Sequence, residues 1–132
     1  MRRVVTRSPS FPATSPDTPI VPVPGLLWQV LCGDTGHWRC GIYSPQWVGL
    51  DQVHECEQHD CPELFVLLSG RVTLVIAGPD GLAPLPLEAG RPVMIRSPHS
   101  GFCPDGPGTG TALVIERDAF ETEYRPPADW KE

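Results

Sequence analysis

The chain has 132 residues, a net charge of −6 and 40% hydrophobic content, enough for one domain around one core. No apolar run reaches the roughly 18 residues of a membrane span, and no Lys/Arg cluster is available to neutralise a row of phosphates. Membrane and nucleic acid are set aside as partners in favour of a small-molecule ligand, and the basic start lacks the apolar stretch of a signal peptide, which makes the cytoplasm the expected compartment.

Residues 1–24 hold six prolines among Ser and Thr. Proline removes backbone donors, and the segment has little apolar surface to offset ordering, so a disordered or extended Pro-rich arm is predicted. From Gly25 the texture changes to short β-like runs punctuated by Gly, Pro or Asp. Leu26–Cys32, His37–Tyr43 and Trp47–Glu55 lead to a polar loop, Cys56–Pro62. Glu63–Leu68 and Val72–Ala77 flank a Ser69-Gly70 turn. A weak run at Leu85–Leu87 is followed by Pro92–Arg96, and Thr111–Glu116 is the last clear strand.

Apolar residues nowhere recur at helical spacing over this region. The one helical candidate is Arg117–Tyr124, before Pro126-Pro127. The pattern predicts an all-β domain over residues 25–116, with about eight or nine strands closed into a barrel or double-sheet roll. The arm, 1–24, precedes it, and a short helical turn and tail, 117–132, follow. Sheet edges and the arm together predict a homodimer.

Chemistry-bearing side chains gather between Gly49 and Ala77. Residues two apart on an extended chain share a face, so Glu57 and His59 point the same way. Glu63 begins the next run and can return to the same cavity, and His99 can join from the segment Arg96–Phe102. Two imidazoles with one or two carboxylates suit a first-row divalent metal with open positions. Glu63 also precedes five apolar residues, where burial requires a partner or a metal. Plainer readings stand beside these: Glu57 as a solvated loop residue, and His59 and His99 as loop histidines facing water. His54 is offset from His59 by an odd number and faces the other way. Arg96 could pair with a ligand carboxylate or phosphate, or with Glu57 or Glu63.

Five cysteines without a C-x-x-C pair argue against a disulfide framework or zinc knuckle. Cys32 and Cys40 read as core, and Cys56, Cys61 and Cys103 as thiols near the polar cluster. Trp28 reads as core and Trp130 as surface or a subunit contact.

The run Glu57-x-His59-x-x-x-Glu63, with Gly70 seven residues further on, resembles the first cupin motif, with Glu57 standing where the motif has its first His. Gly90–His99 is similar to the second motif, shortened and without its terminal Asn. The resemblance covers about residues 25–116. It implies a double-stranded β-helix, or jelly-roll barrel, in which Glu57, His59, Glu63 and His99 hold a divalent metal such as Fe, Mn, Ni or Zn. Glu116–Arg125 is also similar to the C-terminal stretch of the nucleotide-sugar 3,4-ketoisomerase cupins. That second resemblance implies metal-free chemistry with His59 or His99 as acid/base. Three functions follow as expectations: a metal-dependent enzyme of oxygenase or isomerase type, a metal-free sugar-nucleotide isomerase or epimerase, and a non-catalytic ligand-binding or sensory barrel.

Overall fold

Alternating apolar and polar residues between turn-forming Gly, Pro and Asp build eleven strands in the computed structural model, which describes residues 1–130. They are β1 (Arg2–Thr6), β2 (Trp28–Asp34), β3 (Trp38–Tyr43), β4 (Cys56–His59), β5 (Glu63–Ser69) and β6 (Thr73–Gly78). The remainder are β7 (Gly81–Pro86), β8 (Val93–Ile95), β9 (His99–Phe102), β10 (Thr111–Arg117) and β11 (Phe120–Arg125). A six-stranded antiparallel sheet, β1-β11-β4-β9-β6-β7, faces a five-stranded one, β2-β3-β10-β5-β8. This is the all-β, two-sheet architecture expected from the sequence. Among the described residues, no helix is long and apolar enough to cross a membrane.

Inward side chains of both sheets, among them Phe65, Leu74, Ile95 and Val114, meet in the main core. A second cluster packs outside the six-stranded sheet, where Trp130 covers Cys56, Val75 and Ala77. The turn after β5 depends on Gly70: its φ is +62°, and an added Cβ would lie 2.4 Å from the Thr109 carbonyl oxygen. Only glycine fits that approach without strain.

Several expectations are corrected. The N-terminal arm is not free along its length, because Arg2–Thr6 pair with β11 in unbroken register from Arg2↔Tyr124 to Thr6↔Phe120. The Val4-Val5-Thr6 run favours strand, and β11 offers it an edge. Buried Asp118 then anchors the chain just beyond. Its carboxylate accepts from the Ser10 N–H at 2.7 Å, the Ser10 hydroxyl at 2.7 Å and the Gly36 N–H at 2.8 Å, and also from the Ser8 hydroxyl.

Arg117–Tyr124 is not helical. It ends β10 and forms most of β11, where Phe120, Thr122 and Tyr124 alternate with Glu121 and Glu123 at the two-residue period of a strand. Glutamate-rich composition masked that period. The helical turn comes later, at Pro127–Asp129. Trp47–Glu55 is a loop with a short 3-10 turn at Leu50–Gln52, whereas the supposed loop Cys56–Pro62 contains β4 and His99 opens β9. Trp130 is buried in its own chain, since the outward apolar side chains of β4 and β6 need cover. Residues 131 and 132 of the expected tail lie outside the described residues.

Candidate metal centre

Three short elements bring the four sequence-nominated residues together. Glu57 and His59 point inward from β4, and His99 sits directly across from Glu57 in the adjacent β9. The chain then crosses between the sheets at Asp60–Pro62, so Glu63 enters the same space from the first position of β5. One donor atom from each of Glu57, His59, Glu63 and His99 lies within 4.8 Å of all the others.

Glu63 Oε1 is central, 2.7 Å from His59 Nε2 and 3.0 Å from His99 Nε2. Glu57 Oε1 stands further out, at 3.5 Å and 3.8 Å from the same two nitrogens. Short as they are, the central contacts lack hydrogen-bond alignment, and Glu63 Oε1 and His99 Nε2 are buried with no hydrogen-bond partner among the described residues. Buried polar atoms are normally satisfied, so two inward-facing orphans mark a place built for something else. An ion with nitrogen and oxygen ligands fits that donor set.

The outer ring nitrogens are held. His99 Nδ1 lies 2.9 Å from the Ser97 carbonyl oxygen, to which it donates, and this leaves Nε2 with its lone pair facing inward. His59 Nδ1 lies 2.6 Å from the Thr122 hydroxyl. The His59 ring also packs edge-on against Phe120, 4.7 Å between centroids, and His99 against Phe65 at 5.6 Å. Both rings are thereby fixed before any ligand arrives. Replacing Thr122 with Val removes one such fixture and is expected to weaken metal binding roughly 10–100-fold, with the fold intact. Competition with a chromophoric chelator measures it, and unchanged affinity would deny Thr122 that role.

The electrostatics follow from burial and crowding. Burial opposes a charge on His59, yet the close contacts with Glu57 and Glu63 outweigh it and raise its pKa to about 10. His99 moves upward for the same reason, burial being outweighed by Glu63 and then Glu57. Burial works against an ionised Glu63, but His59 and His99 bring its pKa down to about 2. A fifth group joins them: Glu116, whose Oε1 is 3.8 Å from His59 Nε2 and whose Oε2 accepts from Arg39 Nε at 2.8 Å. Burial, then the charge of Glu63, pushes Glu116 up to about 7 against the pull of Arg39. Protons thus stand where a cation would relieve the same crowding.

The cluster opens into a cavity of about 500 Å³ between the sheets. Trp28, Tyr43, Phe65 and Phe120 form apolar walls, Arg39 and Glu116 a polar one, and Arg2, Val4 and Thr6 of β1 close one side. The Arg39 guanidinium lies 4.9 Å over the Phe120 ring.

Arg39 and Glu116 were not singled out for this site, although the two-residue period was a usable signal. Glu116 shares the inward face of β10 with Ala112 and Val114, and Arg39 pairs with it across β3. Arg96, by contrast, is exposed and outside the cavity lining, and its carbonyl accepts from Gln58 Nε2. His54 is also apart, packed at a tilt against Trp47 with ring centroids 4.8 Å apart. Of the three nominated thiols only Cys56 borders the cavity, with its side chain turned away under Trp130, and Cys61 and Cys103 do not reach it.

No protein-family model matches the chain, and no curated protein matches it by sequence. Solved structures do share its fold. Hydroxypropylphosphonic acid epoxidase from S. wedmorenis in complex with fosfomycin aligns with a TM-score of 0.53 at 18% identity, over 82% of this chain and 59% of that one. HppE with Fe(II) and the alternative substrate (S)-1-HPP gives 0.54 at 17% identity, over 86% and 63% of the two chains. Cobalt(II) HppE in complex with Tris buffer gives 0.53 at 19% identity, over 76% and 57%. The chain therefore spans about three-fifths of the length of the structures it matches. With two facing antiparallel sheets and His59, Glu63 and His99 converging between them, the chain has the cupin fold.

Proposed function

We propose that this protein is a metal-dependent enzyme of oxygenase type. It binds one first-row divalent ion, iron(II) foremost, at His59, Glu63 and His99, and acts on a small molecule held in the cavity. The observation that carries the reading is the convergence of both Nε2 atoms on Glu63 Oε1, with Glu63 Oε1 and His99 Nε2 buried and without a hydrogen-bond partner. Two imidazoles and one carboxylate form the facial triad of non-haem iron oxygenases, which leaves positions free for substrate and dioxygen. HppE, of the same fold, has been crystallised with Fe(II) and with cobalt(II), which supports the choice of metal.

Iron(II), when bound, supplies redox chemistry with dioxygen and Lewis acidity. Every other role falls to the chain. Ser97 and Thr122 occupy both Nδ1 atoms, so the histidines are set as ligands rather than as free proton shuttles. Glu57, its side chain 33% exposed, reaches the centre as a fourth donor or accepts a hydrogen bond from a substrate hydroxyl. Phe65, Phe120 and Trp28 exclude water from the reacting end. The Arg39–Glu116 pair gives the cavity one polar wall against which a polar substituent can be oriented.

Anaerobic reconstitution tests this. One iron(II) per chain, with a nitric oxide complex giving the half-integer-spin EPR signal of a site with an open position, is the expected result. Absence of stoichiometric metal after supply of Fe, Mn, Co, Ni or Zn overturns the metal centre. Stoichiometric iron that takes up no nitric oxide overturns the oxygenase type.

A further inference from the structure

The five-stranded sheet is apolar on both of its faces. Register fixes which side chains share the outward one: Ile42, Leu113 and Val66 form one row across β3, β10 and β5. Cys40, Ile115, Leu64 and Met94 form the next, extending to β8. Ile42 and Cys40 are buried within the chain, and Leu64, Val66, Leu113 and Ile115 are half-buried. Leu68 at 50% exposure and Met94 at 58% are the open members of the patch. Charge lies at one end, at Asp34 and Arg117, and uncharged polar residues sit at the border, Gln29 at one corner and the hydroxyl pair Ser69 and Thr111 at the far end.

An antiparallel sheet with one solvated face ordinarily alternates apolar-in and polar-out, and the six-stranded sheet shows what that looks like here. Its outward side chains are polar along the row Arg3, Glu123 and Gln58, and Cys56, Val75 and Ala77 lie under Trp130. Leu64, Val66, Leu113 and Ile115 belong to neither core cluster. An apolar field this continuous on a soluble domain marks a contact surface.

We infer that this face is where a second copy of the chain packs, sheet against sheet, in an isologous dimer. Three observations favour a second copy over other occupants. The middle of the field is uncharged on a chain of net charge −6, so it offers nothing to nucleic acid or to a charged membrane surface, while two copies can meet there without repulsion. Its rows run apolar from β3 to β8, and such rows can meet their own copies across a two-fold axis. It is also large enough: five strands about 4.8 Å apart and about 20 Å long give a plan area on the order of 400 Å². The border enlarges it. Val23 donates to Gln29 Oε1 and accepts from Gln29 Nε2, which places the exposed Ile20, Val21 and Val23 beside the same face. With both copies counted the sheets alone give about 800 Å², and the border brings the total to roughly the 1,000 Å² of a small specific interface.

Sedimentation velocity of the full-length protein, metal-loaded and metal-free, tests this. The expected result is a dimer at micromolar concentration, weakened at least about a hundredfold by Leu68→Glu with Met94→Glu. Both positions are half exposed, so circular dichroism should be unchanged and the dimer alone should respond. Val66→Lys, nearer the middle, should do the same, and if it fails to fold the Leu68/Met94 pair decides. A wild type that stays monomeric overturns the proposal, whether or not it then pellets with phosphatidylcholine vesicles. A dimer that survives the paired substitution also overturns it, and would place the contact elsewhere, such as the β1 edge.

Discussion

Glu63→Ala is expected to take bound metal from one equivalent to none detectable, while Glu57→Ala loses only about tenfold in affinity. The contrast follows from position. Glu63 is almost wholly buried and within 3.0 Å of both imidazole Nε2 atoms, whereas Glu57 is half-buried and no closer than 3.5 Å. Positioning groups around metal sites are themselves worth 10–100-fold, so loss of the one anionic donor among the three ligands should exceed about a hundredfold. Glu63→Gln keeps the shape and removes the charge, and should fall nearly as far. Elemental analysis together with the visible spectrum of the cobalt(II) form reads both effects. Equal losses at 57 and 63 would mean that Glu57 is a full ligand and the site has four protein donors. A Glu63→Ala protein that still binds one equivalent would remove Glu63 from the centre.

The metal-free protein is expected to be most stable near pH 4.5, losing stability on both sides. His59 has a folded pKa of about 10 against an ordinary 6.5. Its contribution is therefore complete below 6.5 and lost as pH rises through 10. Glu63 has a folded value of about 2 against 4.5, so its contribution is complete above 4.5 and lost as pH falls through 2. Glu116, raised to about 7 from 4.5, favours the fold while protonated, and that contribution fades between 4.5 and 7. The His59–Glu63 interaction is shared, and counted once it is worth on the order of 3 kcal/mol. Calorimetry across pH checks this, with His59→Gln expected to flatten the alkaline limb. Bound metal steepens the acid side and opposes the alkaline loss, because its ligands must give up protons. A metal-free Tm that rises steadily from pH 5 to 9 would contradict the pairing.

The site was more legible than the fold around it. Spacing alone put Glu57 and His59 on one face, and the apolar run after Glu63 marked that carboxylate as buried. What spacing could not show is that His99 begins a strand beside β4, because a single cross-strand pair, Glu57↔His99, fixes it there. Arg39 and Glu116 were hidden differently. Each is a charged residue at an inward position of an otherwise apolar strand, and only pairing across β3 and β10 reveals that they neutralise each other. The β11 segment was misread because Glu121 and Glu123 suggest a helix, when their alternation with Phe120, Thr122 and Tyr124 states a strand.

One wall of the cavity has an unusual history during synthesis. Arg2, Val4 and Thr6 complete it, yet among the described residues their strand pairs with β11 alone, and the Arg3–Glu123 ion pair spans 120 residues of sequence. Asp118, which pins Ser8 and Ser10, is likewise 108 residues or more away. Closing loops of that length comes at an entropic cost that local contacts do not share. The β1 strand must therefore wait, unpaired, until β11 has been made, and that side of the cavity closes only when the two strands find each other. A nascent or C-terminally shortened chain could assemble His59, Glu63 and His99 and still lack an enclosed chamber in which to use them.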